Sequence, residues 1–149
     1  MAGTLLEGLS RYLGEEELAR LAAPRIGFAG CGGIGSNAAL MLARSGVRRF
    51  LLVDHDTVDA SNLNRQQFMP RDVGRPKAEA LRDRLLELDP ELDIDARVKK
   101  LTEQNADRYV PLADIWVEAF DAPECKRFLV ERVMMAGKHV VSASGLGGW

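Results

Sequence analysis

The sequence of 149 residues predicts an α/β fold in which a mostly parallel, doubly wound sheet carries helices on both faces. Two observations support this prediction. Short apolar segments alternate with segments of helical apolar spacing from residue 25 onwards, and such alternation is typical of a parallel sheet. The first of the apolar segments also leads directly into a glycine-rich turn that opens a helix, which is the connection that begins many sheets of this kind.

Residues 1–24 are predicted to form a helical lead-in, ahead of an α/β unit at residues 25–149. Leucine and alanine side chains form a broken apolar stripe along the lead-in. We expect Gly14 to divide it into two helices and Pro24 to close it, because proline restricts the residue before it to non-helical conformations.

The first predicted strand, Ile26 to Ala29, is followed by a turn and by a helix from Ser36 to Ser45. The turn fits the pattern G-x-G-x-x-G with one extra glycine, and its glycines are Gly30, Gly32, Gly33 and Gly35. Glycine allows a tight turn and a close approach to the backbone. The free N–H groups and the positive dipole end of a new helix attract anions, so a phosphate is the simplest ligand. The turn alone does not separate nicotinamide, flavin and ATP binders.

The second predicted strand, residues 49–54, ends on Asp54. This carboxylate follows Gly35 by 19 positions, which is the spacing at which an acid contacts a ribose hydroxyl in a dinucleotide-binding sheet. The alternative is that Asp54 only caps the end of its strand.

A long polar segment, residues 55–68, precedes the next helix. Its apolar members Val58, Leu63 and Phe68 indicate an ordered segment rather than a disordered one. The next helix is predicted to start with Pro76 at its first position. Between Ser61 and Arg84 six cations outnumber three acids, an excess that suits a polyanion; the cations are Arg65, Arg71, Arg75, Lys77, Arg82 and Arg84.

Three more strands and two helices complete the predicted sheet. The strands are expected at 92–98, 114–121 and 138–143, a longer helix at 123–137, and a short helix capped by Thr102. The fourth strand again ends on a carboxylate, Asp121. The sequence ends in turn-like residues, 145–149, so we expect the unit to be incomplete at its C-terminus.

Composition excludes several other classes of protein. The net charge is −2, which does not indicate nucleic acid or a membrane surface as a partner. No apolar run approaches the roughly 18–20 residues that span a bilayer, and the N-terminus lacks the features of a secretory signal. The two cysteines cannot form a disulfide framework or a four-cysteine zinc site. A cytoplasmic enzyme is the default expectation.

Several motifs together resemble those of the ThiF/MoeB/ubiquitin-activating enzyme family, and the resemblance covers residues 25–145. The motifs are Asp54-x-Asp56, the string Ser-Asn-Leu-Asn-Arg-Gln at 61–66, Lys77, and Glu-Ala-Phe-Asp at 118–121. The resemblance implies a Rossmann-like fold and ATP-dependent adenylation of the C-terminal Gly-Gly carboxylate of a ubiquitin-like protein. Ser36-Asn37 and Ser-Gly-Leu-Gly-Gly at 144–148 are most similar to the ThiF proteins that activate the sulfur carrier ThiS in thiamine biosynthesis.

The resemblance also implies roles for individual residues. The four glycines would let the backbone approach the nucleotide, Asp54 would hold the ribose, and Asp56 would lie in the nucleotide neighbourhood. The triphosphate would be held by Asn62, Arg65 and Lys77, with Gln66 as a weaker candidate. Asp121 would hold Mg²⁺, which prefers oxygen ligands. Arg65, Lys77 and Asp121 are the candidates for catalysis, because a reaction between two anions depends on positioning and charge neutralisation.

Each of these residues has a simpler alternative reading. Arg65 and Lys77 could be solvated surface charges, and Asp121 could be a helix cap. The remaining arginines of the polar segment are expected to face solvent or a partner. His55 and His139 lack the spacing of metal ligands, so we expect them to be structural.

The sequence departs from the family in its cysteines. Many relatives carry two Cys-x-x-Cys pairs for zinc, and this chain has none, so no zinc is expected. Cys31 and Cys125 do not occupy the position of the family's catalytic thiol and are expected to be structural. Family members often act as homodimers in which an arginine reaches the facing subunit, and Arg11 is the candidate here.

Other functions remain open at this point. The adenylated acceptor could instead be another carrier, such as a subunit of molybdopterin synthase, or a tRNA base. An NAD-dependent oxidoreductase would share the glycines and Asp54, but the sequence offers no evident catalytic histidine or Tyr-x-x-x-Lys pair. A non-catalytic protein that binds a ubiquitin-like partner is the third possibility.

Overall fold

A computed structural model describes residues 3–143 of the chain. It contains five strands and six α-helices in the order α1 (Thr4–Leu9), α2 (Glu15–Ala22), β1 (Arg25–Ala29), α3 (Gly33–Ser45), β2 (Arg49–Val53), α4 (Lys77–Leu88), β3 (Asp93–Arg97), α5 (Ala106–Tyr109), β4 (Ile115–Glu118), α6 (Pro123–Met135) and β5 (His139–Ser142). Three short 3₁₀ helices lie at Ala60–Asn62, Pro70–Asp72 and Val110–Leu112. No helix in this described part is long and apolar enough to cross a membrane.

The five strands form one parallel sheet in the order β3-β2-β1-β4-β5. The order reverses between β1 and β4, and in open α/β sheets ligands bind at this switch point beyond the carboxyl ends of the strands. The fold class predicted from the sequence is therefore confirmed, including the helical lead-in, in which Gly14 is the N-cap of α2.

Two apolar clusters cover the two faces of the sheet, as a parallel sheet requires. Phe50 and Leu52 point to the face covered by α3 and α4, and Leu51 and Val53 point to the face covered by α5 and α6. All four side chains are at most 1% exposed. This alternation follows from the twofold period of a strand, and it holds the carboxyl ends of the strands in a fixed plane.

The boundaries differ from the sequence predictions in two places. Pro76 is the N-cap of α4 rather than its first residue, because its ψ of 132° is extended. Thr102 does not cap α5; its hydroxyl and the side chain of Asn105 instead exchange hydrogen bonds with each other's backbone N–H, which closes a turn before the helix. The tail residues 145–149, on which the expected incompleteness rests, lie outside the described residues.

The contact between β1 and α3 leaves no room for a side chain. A Cβ atom built on Gly35 would lie 2.0 Å from the carbonyl oxygen of Gly30, whereas one on Gly33 would meet nothing within 4 Å. Gly30 itself has a φ of 102°, which L side chains rarely adopt. The glycines therefore set the path of the chain from the first strand into the first long helix.

We predict that Gly35→Ala lowers the free energy of unfolding by about 3 kcal/mol, because the added methyl group must push α3 away from β1. Gly33→Ala is the matched control, with an expected change within about 0.5 kcal/mol. Urea unfolding of both variants measures the difference. Equal stability of the two variants would contradict the close contact.

Candidate functional site

A cleft of about 630 Å³ lies at the carboxyl edge of the sheet, over the switch point between β1 and β4. Its volume falls in the range of roughly 300–1,000 Å³ that is usual for small-molecule sites. Nine of the residues predicted to form the site line it: Gly30, Gly32, Gly33, Asp54, Asp56, Arg65, Gln66, Lys77 and Asp121. The fold thus brings most of the predicted site together from four separate segments.

Two predicted site residues do not line the cleft. Gly35 lies beneath the turn, where its missing side chain lets α3 pack on β1. Asn62 belongs to the 3₁₀ helix after β2, and its side-chain oxygen accepts the N–H of Asp59 at 2.8 Å. Its position in the sequence motif is thus explained by the local turn rather than by contact with the cleft.

The glycine turn presents unprotected backbone to the cleft. A Cβ at Gly30 would lie 2.6 Å from the carbonyl oxygen of Ala119, so only glycine fits between β1 and the end of β4. Helix α3 begins at Gly33, and its N-cap, Gly32, supplies no side-chain hydrogen bond to the first turn. The open N–H groups and the helix dipole make this end of the cleft a favourable place for an anion.

Asp54 joins the glycine turn to the segment after β2. One carboxylate oxygen accepts the backbone N–H of Cys31 at 2.8 Å, and the other accepts the N–H of Asp56 at 2.8 Å. The side chain is 9% exposed and lines the cleft. The strand-end role considered for Asp54 is therefore real, and each oxygen still has a lone pair for a ligand hydroxyl.

Lys77 and Gln66 approach the glycine turn from the opposite wall. Lys77 is 8% exposed, and in residues 3–143 no acid lies within 4.0 Å of its ammonium group. A Cβ on Gly32 would lie 3.4 Å from the Gln66 amide nitrogen and 4.0 Å from the Lys77 nitrogen. The Gln66 amide oxygen is buried and has no hydrogen-bond partner in the described part of the chain. Two polar groups in this wall thus lack the partners that burial normally demands.

Arg65 differs from the other arginines of the polar segment. Its guanidinium is exposed at the cleft and donates to the Ser61 carbonyl at 3.1 Å and to the Asn64 side chain at 3.0 Å, but it meets no acid within the described residues. The four other arginines form ion pairs instead: Arg71–Glu87, Arg75–Asp72 and Asp83, Arg82–Asp83, and Arg84–Asp72 and Glu87. The local excess of cations counted in the sequence therefore reduces to Arg65 and Lys77.

Asp121 lies at the cleft and is exposed, as a metal-binding carboxylate would be. It is not the N-cap of α6, because that position is held by Ala122, and α6 has no side-chain cap. Among residues 3–143 one cluster could hold a cation by itself, and it consists of Asp54, His55 and Asp56. The two Asp54 oxygens in this cluster already accept backbone N–H groups.

Sequence reasoning missed four residues of the cleft wall. Lys99, Lys100 and Leu101 follow β3, and Cys125 lies in the first turn of α6. A signal for the first three was present, since the end of β3 lies beside the end of β2 in any sheet of this order. His55 was expected to be structural, but it is exposed at the cleft with Nε2 3.3 Å from an Asp56 oxygen.

The two cysteines differ in environment. Cys31 is fully buried, and this burial, together with the nearby Asp54 charge, raises the pKa of its thiol well above the usual value. The thiol therefore stays protonated and inert, which agrees with a structural role. Cys125 is only half-buried and faces the cleft.

Comparison with known proteins gives the same family as the motifs. The model of the ThiF family matches residues 6–149. The chain is 34% identical over 135 residues to the tRNA threonylcarbamoyladenosine dehydratase of Bacillus subtilis, covering 89% of this chain and 53% of that protein. It is 33% identical over 119 residues to the sulfur carrier protein ThiS adenylyltransferase of Escherichia coli, covering 79% of this chain and 47% of that protein.

Solved structures agree with the sequence comparison. The E. coli tRNA N6-threonylcarbamoyladenosine dehydratase, solved in complex with ATP, superposes with a TM-score of 0.90 at 31% identity, covering 96% of this chain and 60% of that one. E. coli MccB, also solved with ATP, gives a TM-score of 0.75 at 28% identity, covering 85% of this chain and 39% of that one. The chain spans about half the length of the curated relatives it matches.

Proposed function

Because the chain belongs to the ThiF family, we propose that it binds ATP in the cleft and transfers the AMP group to a carboxylate. One observation carries this proposal. The Lys77 ammonium is nearly buried, unpaired with any acid of residues 3–143, and directed at a glycine turn that opens a helix. An unpaired buried charge is costly, and an anionic ligand offsets that cost.

The proposed reaction needs no nucleophilic side chain. An oxygen of the acceptor carboxylate forms a bond to the α-phosphorus of ATP, and the bond from that phosphorus to the oxygen bridging to the β-phosphate breaks. The products are an acyl-adenylate and pyrophosphate, and no proton is transferred. Because both reactants are anions, the work of the protein is to hold them in line and to neutralise charge.

The wall residues divide this work by their chemistry. Arg65 offers a planar fork that suits two phosphate oxygens, whereas Lys77 offers a compact charge near the glycine turn. Gln66 has an unused amide oxygen, and Asp54 has lone pairs left for a ribose hydroxyl. Asp56 lies next to Asp54 and belongs to the same wall. We do not include Asn62, because its side-chain oxygen is committed to a local turn.

The residues present also fit a magnesium ion. Asp121 is an exposed carboxylate at the cleft, and the ion pairs found in the described part of the chain do not include it. Magnesium is commonly held by one or two carboxylates together with the phosphates of the substrate. When bound, the ion would withdraw charge from the phosphate oxygens.

The acceptor is proposed at a finer level. We infer a ubiquitin-like sulfur carrier of the ThiS type as the first candidate, from the motifs and from the similarity to the E. coli ThiS adenylyltransferase. A carboxylate on a tRNA base is the second candidate. It is favoured by the similarity to the B. subtilis and E. coli tRNA threonylcarbamoyladenosine dehydratases. An oxidoreductase is not proposed, because the hydride carrier leaves Arg65 and Lys77 without a role.

We predict that Lys77→Met lowers ATP–pyrophosphate exchange by about 100-fold or more, and that Arg65→Ala lowers it by about tenfold, because each removes charge from the phosphate site. Methionine keeps the buried stem of Lys77. Arg71→Ala is the control, since its exposed pair with Glu87 contributes little. Exchange rates that match wild type in both cleft variants would remove these residues from the reaction.

A second test identifies the acceptor. We expect exchange to be stimulated by a carrier protein that ends in Gly-Gly and not by the same carrier without its last glycine, because the attacking group is the terminal carboxylate. Modified tRNA is assayed in parallel, with unmodified tRNA as its control. Stimulation by modified tRNA alone would select the second candidate.

We also propose that the protein is a homodimer in which Arg11 serves the facing subunit. Arg11 is exposed, and the ion pairs of the described residues leave it unpaired. If the proposal holds, mixing Arg11→Ala protein with Lys77→Met protein restores part of the exchange activity, because mixed dimers contain one intact site. Sedimentation velocity should give twice the chain mass of 16.4 kDa. A monomer, or mixtures that regain no activity, would contradict it.

A further inference from the structure

A buried ion pair beside the cleft connects three elements at the carboxyl edge of the sheet. Glu118, the last residue of β4, is 0% exposed. The ammonium group of Lys126, on α6, lies 3.1 Å from one of its carboxylate oxygens. The hydroxyl of Ser142, at the end of β5, donates to the other oxygen at 2.5 Å.

Both members of this pair also hold main-chain groups. The Glu118 carboxylate accepts the backbone N–H of Phe120 at 2.8 Å, and Lys126 donates to the carbonyl of Ala143 at 2.9 Å. Phe120 and Asp121 form the turn that enters the cleft after β4. The conformation of this turn therefore depends on a carboxylate that receives a counter-charge from another helix.

The charge of Lys126 is what keeps the Glu118 carboxylate in place. A buried carboxylate without a counter-charge must take up a proton or rotate towards solvent. The cleft is the solvent-filled space next to Glu118, and movement in that direction would break the hydrogen bond to Phe120. Loss of Lys126 would thus release the turn that carries Asp121.

We propose that Lys126, acting through Glu118, is a positioning residue that fixes the Phe120–Asp121 turn for nucleotide binding. The step from the turn to the nucleotide rests on the proposed function, whereas the step from the ion pair to the turn does not. The alternative is a pair that only joins α6 to β4 and β5.

The test compares Lys126→Met with a conservative variant and a matched control. Lys126→Arg keeps the charge. Lys138→Met removes a similar half-buried lysine, which donates to the Ala113 carbonyl at 2.8 Å, but at the amino edge of the sheet. Hydrogen exchange of the Phe120 and Asp121 amides should become about tenfold faster in Lys126→Met, return towards wild type in Lys126→Arg, and stay unchanged in Lys138→Met.

The second readout is the affinity for ATP by calorimetry, with and without Mg²⁺. We expect Lys126→Met to weaken binding about tenfold with Mg²⁺, and less without it, because a misplaced Asp121 affects the metal-dependent part of binding. A purely structural pair would lower the thermal stability of Lys126→Met and of Lys138→Met while leaving both affinities unchanged.

Each outcome decides between these readings. Unchanged exchange at Phe120 and Asp121 in folded Lys126→Met, or unchanged affinity despite faster exchange, overturns the positioning role. If wild-type protein binds no ATP, the proposed function fails, and the exchange rates still support or overturn the link from pair to turn. If Lys126→Met does not fold, Ser142→Ala replaces it and should change both readouts in the same direction to a smaller extent.

Discussion

The whole site depends on the two hydrogen bonds that Asp54 accepts. Through Cys31 the carboxylate holds the glycine turn, and through Asp56 it holds the segment that follows β2. The carbonyl of Asp56 in turn accepts the backbone N–H of Lys77 at 2.9 Å, which fixes the start of α4. A single carboxylate at a strand end therefore sets the distance between the turn and the main cation of the cleft. An aspartate that could be dismissed as a strand cap is the group that assembles the site.

Charge pairing elsewhere gives the cleft its specificity for anions. Ten of the twenty Lys and Arg residues could not be ranked by sequence position, yet the polar segment separates clearly in the structure: four arginines face carboxylates, and Arg65 and Lys77 do not. Paired charges cancel one another at short range, whereas unpaired cations in a low-dielectric cleft attract a ligand strongly. The polyanion expected from the raw excess of cations is therefore a small one, bound in the cleft rather than along a surface.

The sequence predicted the fold and most of the cleft because both follow from strand order and local spacing. Buried strands such as Arg49–Val53 are nearly continuous apolar runs, and the carboxyl ends of parallel strands must share one edge. Contacts between distant segments could not be predicted in this way. Nothing in the spacing shows that Asn62 is used by its own turn, or that Glu118 of β4 pairs with Lys126 of α6. Lys99 and Lys100 were missed because β3 is a half-exposed edge strand with weak alternation.

The chemistry of the cleft explains why relatives with different acceptors can share it. The turn, the two cations and Asp121 all address the nucleotide, and none of them needs to know which molecule carries the attacking carboxylate. A dehydratase that acts on tRNA and an adenylyltransferase that acts on ThiS are both about one-third identical to this chain over the same fold. Acceptor choice must then depend on surfaces beyond the nucleotide cleft. This separation makes nucleotide binding and acceptor recognition independent properties, so that a change to Lys77 should abolish reaction with any acceptor, whereas a change to the acceptor should leave ATP binding intact.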